Sequence, residues 1–231
     1  MRAGWQPASG PEALLSQGAA ELDGLRDLSA EARVTIAGAE GKGTGTAFII
    51  YQPPSRFRVD IRGPLFRHLL TAVMDGDSLL IQAQGQVWRG TVGGGMLSRL
   101  VDIDIGTYHL PYALLGVVQP GRLDTTAPPE YTRADRAVAT VQDSGLCRRV
   151  WVDLFRGFAT REEVLAGGEV DWGRKLDEYR RVGSQRDGVY LPRRVKIVQA
   201  DRSLELRYGR YAVNEGIDEG SFRRGISAAG E

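Results

Sequence analysis

Among its 231 residues the chain has one cysteine, Cys147, and two histidines, His68 and His109. A single thiol excludes an internal disulfide and a multi-cysteine zinc site. Neither histidine stands at triad or metal-ligand spacing from a carboxylate or thiol. Cys147, followed by Arg148-Arg149-Val150-Trp151, reads as a small strand residue, His68 as a strand-face residue and His109 as the start of a short helix. There is no Gly-x-Ser-x-Gly elbow to support serine hydrolysis. No window approaches the roughly 18 apolar residues of a spanning helix. Met1-Arg2-Ala3-Gly4-Trp5 has no apolar signal core, so an exported form would have lost its signal, and any lipid-anchored cysteine with it, ahead of Met1. An excess of either charge is also missing. Lys plus Arg number 30 and Asp plus Glu 29, for a net charge of +1, so no global field favours nucleic acid or anionic lipid, and the expected ligand is apolar or neutral.

Three short motifs imitate chemistry without completing it. Gly41-Lys42-Gly43-Thr44-Gly45-Thr46 looks like a phosphate loop, but a strand rather than a helix follows it, which reads as a Gly-rich hairpin. Asp102-Ile103-Asp104-Ile105-Gly106 begins like a calcium loop and lacks the later acidic ligands. Asp153, Glu162, Glu163, Asp171 and Glu178 could in principle supply a carboxylate pair for glycoside hydrolysis. Interspersed with Lys and Arg, they read more simply as charges on a solvated strand face. No metal or cofactor is expected.

What the chain has is alternation. Pro11 to Leu28 places Leu14, Leu15, Ala19, Leu22 and Leu25 at helical spacing behind a Ser9/Glu12 capping box, which predicts an amphipathic helix. From Ala32 the period becomes two, predicting strands near 32–38, 43–51, 56–62, 67–75, 78–83 and 86–92. Gly93-Gly94-Gly95 breaks this run, and Met96, Leu97, Leu100 and Val101, then Leu110, Tyr112, Leu114 and Leu115, predict two short helices too apolar to stand alone. A polar loop over 121–135 precedes strands near 136–143, 147–155, 158–165, 175–183, 192–199, 202–209 and 210–214. So many hairpins cannot stay flat, so the sheet must curl into a barrel, half-barrel or sandwich, with the helices covering its apolar face. At this length a chain buries roughly 70% of its unfolded surface, so size does not limit the core. Phe48, Ile50, Phe57, Val59, Ile61, Leu70, Ala72, Met74, Leu79 and Ile81, with Trp151, Val195, Ile197, Leu206 and Tyr208, are read as facing inward, and Leu97, Leu100, Leu114 and Leu115 as facing them from the helices. Alternation alone does not distinguish a packed core from cavity lining.

The stretch from Ala47 to Gly90 carries a Pro53-Pro54 turn, the strand Arg56-Phe57-Arg58-Val59-Asp60-Ile61, the tip Gly63-Pro64-Leu65-Phe66 and the hairpin Asp75-Gly76-Asp77. With the N-terminal helix and the closing Ile217 to Phe222, this order resembles the LolA/LolB superfamily of periplasmic lipoprotein carriers and acceptors. The resemblance implies a mainly β fold, a curved antiparallel half-barrel with an N-terminal helix and short lid helices over a hydrophobic cavity. It implies one domain over 12–222, with flexible termini at 1–11 and 223–231. By the same resemblance the protein is no enzyme but a monomer that takes the acyl chains of a lipoprotein and carries them to, or inserts them at, the outer membrane of a Gram-negative bacterium. Its implied partners are the acylated lipoprotein, the outer-membrane surface and a carrier or inner-membrane release complex, with no nucleic acid. It would be periplasmic, with or without a lipid anchor. Leu65 sits where LolB-like acceptors carry an apolar delivery residue, beside Phe66 and with Arg67 placed to touch lipid phosphate; a local plug over the sheet edge is the competing reading. Two other functions stay open: a lipid or glycolipid carrier, or lipid-sensing regulator, of the same fold, and an enzyme using a carboxylate pair at the barrel mouth.

Overall fold

The structure is a computed structural model that describes residues 11, 15, 24–39, 41–91, 103–105, 110–118, 122–123, 127–133, 135–143, 145–184 and 188–223. Among the described residues, fourteen strands form one antiparallel sheet. The first six are β1 (Leu28–Gly38), β2 (Gly41–Gln52), β3 (Arg56–Arg62), β4 (His68–Asp75), β5 (Ser78–Ala83) and β6 (Gln86–Thr91). A helix, α1 (Leu110–Leu115), follows, then the short β7 (Arg122–Leu123) and β8 (Glu130–Arg133). The second run is β9 (Arg136–Asp143), β10 (Leu146–Asp153), β11 (Phe158–Ala166), β12 (Glu169–Val182), β13 (Val189–Gln199) and β14 (Arg202–Val213). Spatial order is β6-β5-β4-β3-β2-β1-β14-β13-β12-β11-β10-β9-β7, with β8 also on β9. Two meanders are thus joined where β1 meets β14, from Leu28 opposite Val213 to Ala37 opposite Ser203. Neighbours in sequence are neighbours in space because the connections are tight turns. At Gly167-Gly168 both residues have positive φ, +60° and +89°, as the hairpin turn that matches strand twist requires.

The sheet is an open, curved half-barrel whose concave face holds the core. Ala30, Ala32 and Val34 of β1, Ala47, Ile49 and Tyr51 of β2, Phe57 and Val59 of β3, and Leu204, Leu206 and Tyr208 of β14 all turn inward and are buried. α1 lies on this face with Leu110, Ala113, Leu114 and Leu115 buried. It ends at Gly116, whose φ of +72° lets Val117 N–H reach back to the Tyr112 carbonyl at 3.0 Å, a Schellman closure.

Several sequence expectations change here. The N-terminal helix does not run to Leu28, which is the first residue of β1; of its expected span, Pro11 and Leu15 are described and are helical. The polar loop over 121–135 contains β7 and β8. The strand expected from 175 begins at Glu169, and the pair split at Gly209 is the single strand β14. Pairing slips there, from Ala32 opposite Tyr208 to Glu31 opposite Arg210, so Gly209 marks a bulge and not a strand end. The helix expected near Met96 to Val101, including Leu97 and Leu100, lies outside the described residues, as do His109 and all of the termini 1–11 and 223–231 except Pro11 and Arg223.

Candidate functional site

Beneath α1 the concave face encloses an apolar cavity of about 50 Å³. Its sheet wall comes from Val34, Ala47 and Ile49, from Val59 and Ile61, from Leu70 and Ala72, and from Ile197, Leu204 and Leu206. Ile103, Ile105, Leu110 and Leu114 close it from the helical side. None of the fourteen side chains is polar. An engineered 150 Å³ cavity is what takes up benzene, so the space as it stands is smaller than one acyl chain. Of the residues singled out from sequence, Val59, Ile61, Leu70, Ala72, Ile197, Leu114 and Leu206 border this space. Phe57, Met74, Leu79, Ile81, Leu115, Val195 and Tyr208 are buried on the same face but not on its wall.

Phe48, Ile50 and Trp151 are corrected: they stand on the outer face. Ile49 pairs with Val59 and Tyr51 with Phe57, so the odd residues of β2 share the apolar face of β3 and the even ones do not. Phe48 instead meets the Arg62 guanidinium at 5.2 Å. Trp151 lies between the guanidinium groups of Arg149, 5.7 Å away, and Arg161, 4.6 Å away, while Val150 and Val152 fill the core. Among the described residues, the fully buried tryptophan is Trp172.

The solvated-face reading of the carboxylates is corrected at Asp153, Glu162 and Glu163, which are all buried, Glu162 fully so and on the concave face. Arg148 Nη1 donates to its Oε1 at 2.8 Å and Arg174 Nε to its Oε2 at 2.8 Å, with both guanidinium groups buried as well. Arg174 also ties down α1 and the residue beyond Gly116: Nη1 bonds the carbonyls of Tyr112 at 2.6 Å and Ala113 at 3.1 Å, and Nη2, itself 2.6 Å from Glu162 Oε2, that of Val117 at 2.6 Å. The Tyr208 hydroxyl donates to the Leu114 carbonyl at 2.6 Å, and burial pushes this phenol's pKa far up, which keeps the donor proton in place. At Ala113 and Leu114 these groups satisfy carbonyls that a helix C-terminus leaves orphaned. Nothing in the sequence pattern marked Arg174 for this task. The other carboxylates disperse. Glu163 faces outward to Arg149 and Arg161, Asp153 accepts from the Arg156 amide at one end of the sheet, and Asp171 accepts from Gln199 at the other. Among the described residues no cluster of His, Cys, Asp or Glu could hold a metal ion, and no helix is long and apolar enough to cross a membrane.

No family model matches the chain, and no curated protein does. Solved structures do. An outer membrane lipoprotein-sorting protein domain from Vibrio parahaemolyticus aligns over 94% of this chain and 97% of its own, with a TM-score of 0.64 at 13% identity. A LolA superfamily protein from Nitrosomonas europaea aligns over 92% and 97%, at 0.61 and 14%. A DUF1329 family protein from Desulfovibrio piger aligns over 94% and 98%, at 0.65 and 11%. The chain has the LolA/LolB-like fold.

On this LolA/LolB-like scaffold the loop joining β3 to β4 stands at the end where Ile61 and Leu70 border the cavity. It holds a 3-10 turn, Pro64–Phe66, in which Leu65 has left-handed angles, φ 56° and ψ 29°, and is completely exposed. A left-handed L-residue costs about 1–2 kcal/mol, and an exposed leucine recovers none of it by burial. Arg67 and Leu69 are exposed beside it, while the Phe66 side chain lies outside what the structure describes. His68 shares a hydrogen bond with Thr71 Oγ1 at 2.8 Å, Thr71 donates to Asp60 at 2.5 Å, and Arg58 holds both oxygens of Asp60 at 2.7 and 2.8 Å. Burial by itself would raise the Asp60 pKa, but the bonds from Arg58 and Thr71 outweigh it and hold this carboxyl below its ordinary value.

Proposed function

We propose that the protein is a non-enzymatic carrier or acceptor that binds the acyl chains of a lipoprotein, or of another lipid, between the concave sheet and α1, working in the periplasm and at the outer membrane. The observation that carries this reading is a cavity whose lining, among the described residues, is apolar throughout, in a LolA/LolB-like fold. Burying acyl methylenes supplies about 0.8 kcal/mol each, enough for tight non-covalent capture without any reacting residue. The likeness to lipoprotein-sorting and LolA superfamily structures supports the same reading. Titration of the natively folded protein with a fluorescent fatty acid tests it. One-to-one binding is expected, at least tenfold weaker in Ala72→Leu, whose added methyl groups fill the space beside Ile61 and Leu70. Failure of the folded wild type to bind ends the carrier reading.

Delivery to a membrane we assign to Leu65, because its strain and exposure gain the fold nothing. A fully inserted leucine contributes about 1.5–3 kcal/mol. Leu65→Asn, which tolerates left-handed angles, should keep the fold and the fatty-acid affinity while weakening liposome association tenfold or more. Unchanged association would remove the acceptor role and leave a carrier that releases cargo without touching the bilayer.

A further inference from the structure

A second hollow lies on the outer face, at the end of the sheet away from Leu65. It measures about 370 Å³. Its floor is a single cross-strand row: Val73 stands opposite Arg58 and Leu80, and Leu80 opposite Arg89, so an apolar pair is flanked by a guanidinium on each side. Phe222, from the 3-10 turn Glu219–Phe222, adds an apolar wall, and Arg58 Nη1 fixes that turn by donating to the Ser221 carbonyl at 3.1 Å. Arg56 lies over the Phe222 ring at 4.7 Å and closes one end together with Asp75, the one carboxylate of the lining. Val73 is consequently buried although it belongs to the solvent face.

The charges are uneven. Among the described residues, Arg56, Arg89 and Arg223 contribute to the lining against Asp75 alone. Arg56 is engaged by Gln52 at 3.0 Å, Asp75 at 3.9 Å and Glu219 at 3.8 Å. Arg89 and Arg223 are exposed and make no ion pair with any described residue. A guanidinium fork matches a phosphate or carboxylate in two-point geometry, and a hollow of a few hundred Å³ with apolar walls and a few polar groups has the dimensions of a small-ligand site.

We propose that this hollow binds a single-chain amphipathic anion, with its alkyl chain on Val73, Leu80 and Phe222 and its anionic head on Arg89 and Arg223. The proposal stands apart from the carrier reading, since it uses the other face of the sheet. Nuclear magnetic resonance of the ¹⁵N-labelled full chain tests it with three probes: hexyl phosphate, inorganic phosphate and hexanol. Hexyl phosphate should shift the amides of Val73, Leu80 and Arg89 saturably, with each half-ligand at least tenfold weaker. Arg89→Glu combined with Arg223→Glu, both exposed positions, should weaken hexyl phosphate at least tenfold at unchanged Tm. Inorganic phosphate binding as well as hexyl phosphate would make this an anion site without a tail subsite, and hexanol doing so would make it apolar only; either overturns the proposal. So does a double variant that binds normally, or an absence of shifts at these amides because the chain's own residues 224–231 fill the space. Shifts confined to Ile49, Val59 and Leu206 would favour the concave cavity and refute the second site.

Discussion

Glu162→Gln removes one charge and almost no volume, which makes it a sharp test of how the interior is held. The carboxylate lies between Arg148 and Arg174, and all three side chains are buried. Removing the negative partner leaves two desolvated guanidinium groups facing a neutral amide, a change that costs about 3–5 kcal/mol. At a urea slope of about 3 kcal/mol/M this lowers the unfolding midpoint by roughly 1–1.7 M. Tryptophan fluorescence reports it, since Trp172 sits two residues before Arg174 on the same face. Replacing an isolated buried triad with apolar residues is often neutral. Here it should not be, because Arg174 also bonds the carbonyls of Tyr112, Ala113 and Val117. The triple change Arg148→Met, Glu162→Leu, Arg174→Met should therefore remain about 1–3 kcal/mol less stable than wild type through the bonds lost at Ala113 and Val117, while the Tyr112 carbonyl keeps the Val117 amide. A midpoint shift below about 0.3 M for Glu162→Gln would mean that water reaches the triad, and would refute the reasoning.

Gly116→Ala should destabilise by about 2 kcal/mol or more and expose α1 amides to faster exchange, because φ is +72° and the new Cβ would lie 2.8 Å from Val195 Cγ2 as well as against Pro192; normal stability would show that α1 can seat elsewhere. Stability should fall as pH drops below about 4, partly through Asp60, whose lowered pKa makes its contribution present above the unfolded value and lost as the native carboxyl protonates. Urea midpoints measured between pH 5 and pH 2.5 should fall less steeply in Asp60→Asn, and identical slopes would remove Asp60 from the acid response.

Strand positions were legible in the sequence wherever apolar and polar residues alternated: the bounds of β3, β5 and β9 coincide with the expected ones. Facing was legible only where the alternation was clean. In Phe57-Arg58-Val59-Asp60 the apolar residues can take one side only, whereas Ala47-Phe48-Ile49-Ile50-Tyr51 is apolar on both, and pairing with β3 decides it. Trp151 misled because a large aromatic ring signals burial, yet stacking between Arg149 and Arg161 offers it a site on the outer face. Glu162 and Arg174 misled for the converse reason: a charge pattern looks solvated until partners on neighbouring strands prove to be buried with it. The cavity wall supplied by Ile103 and Ile105 lay hidden in a stretch that resembled a calcium loop.

The cavity is covered by α1 and by the non-helical residues 103–105, the two are held very differently, and this difference bears on how a 50 Å³ cavity could serve an acyl chain. At the C-terminal end of α1, the carbonyls of Tyr112, Ala113, Leu114 and Val117 are all bonded by buried Arg174 or Tyr208, and Gly116 is wedged against Pro192 and Val195. Lifting that end would break these bonds together, and each carbonyl left without a partner costs about 1–3 kcal/mol, Tyr112 keeping the Val117 amide. Around the cavity the same cover meets the sheet through Ile103, Ile105, Leu110 and Leu114, all apolar. A polar link there is an exposed clasp, with Gln199 Oε1 accepting from the Asp104 amide at 2.7 Å and Gln199 Nε2 donating to the Asp104 carbonyl at 3.1 Å. When Ile103 and Ile105 move away, an entering chain replaces their apolar packing in kind, whereas the bonds around Arg174 have no such substitute. On the carrier reading the Ile103 side is therefore where an entering chain would meet the smaller cost, and the exposed Gln199 clasp is one of the bonds it would open.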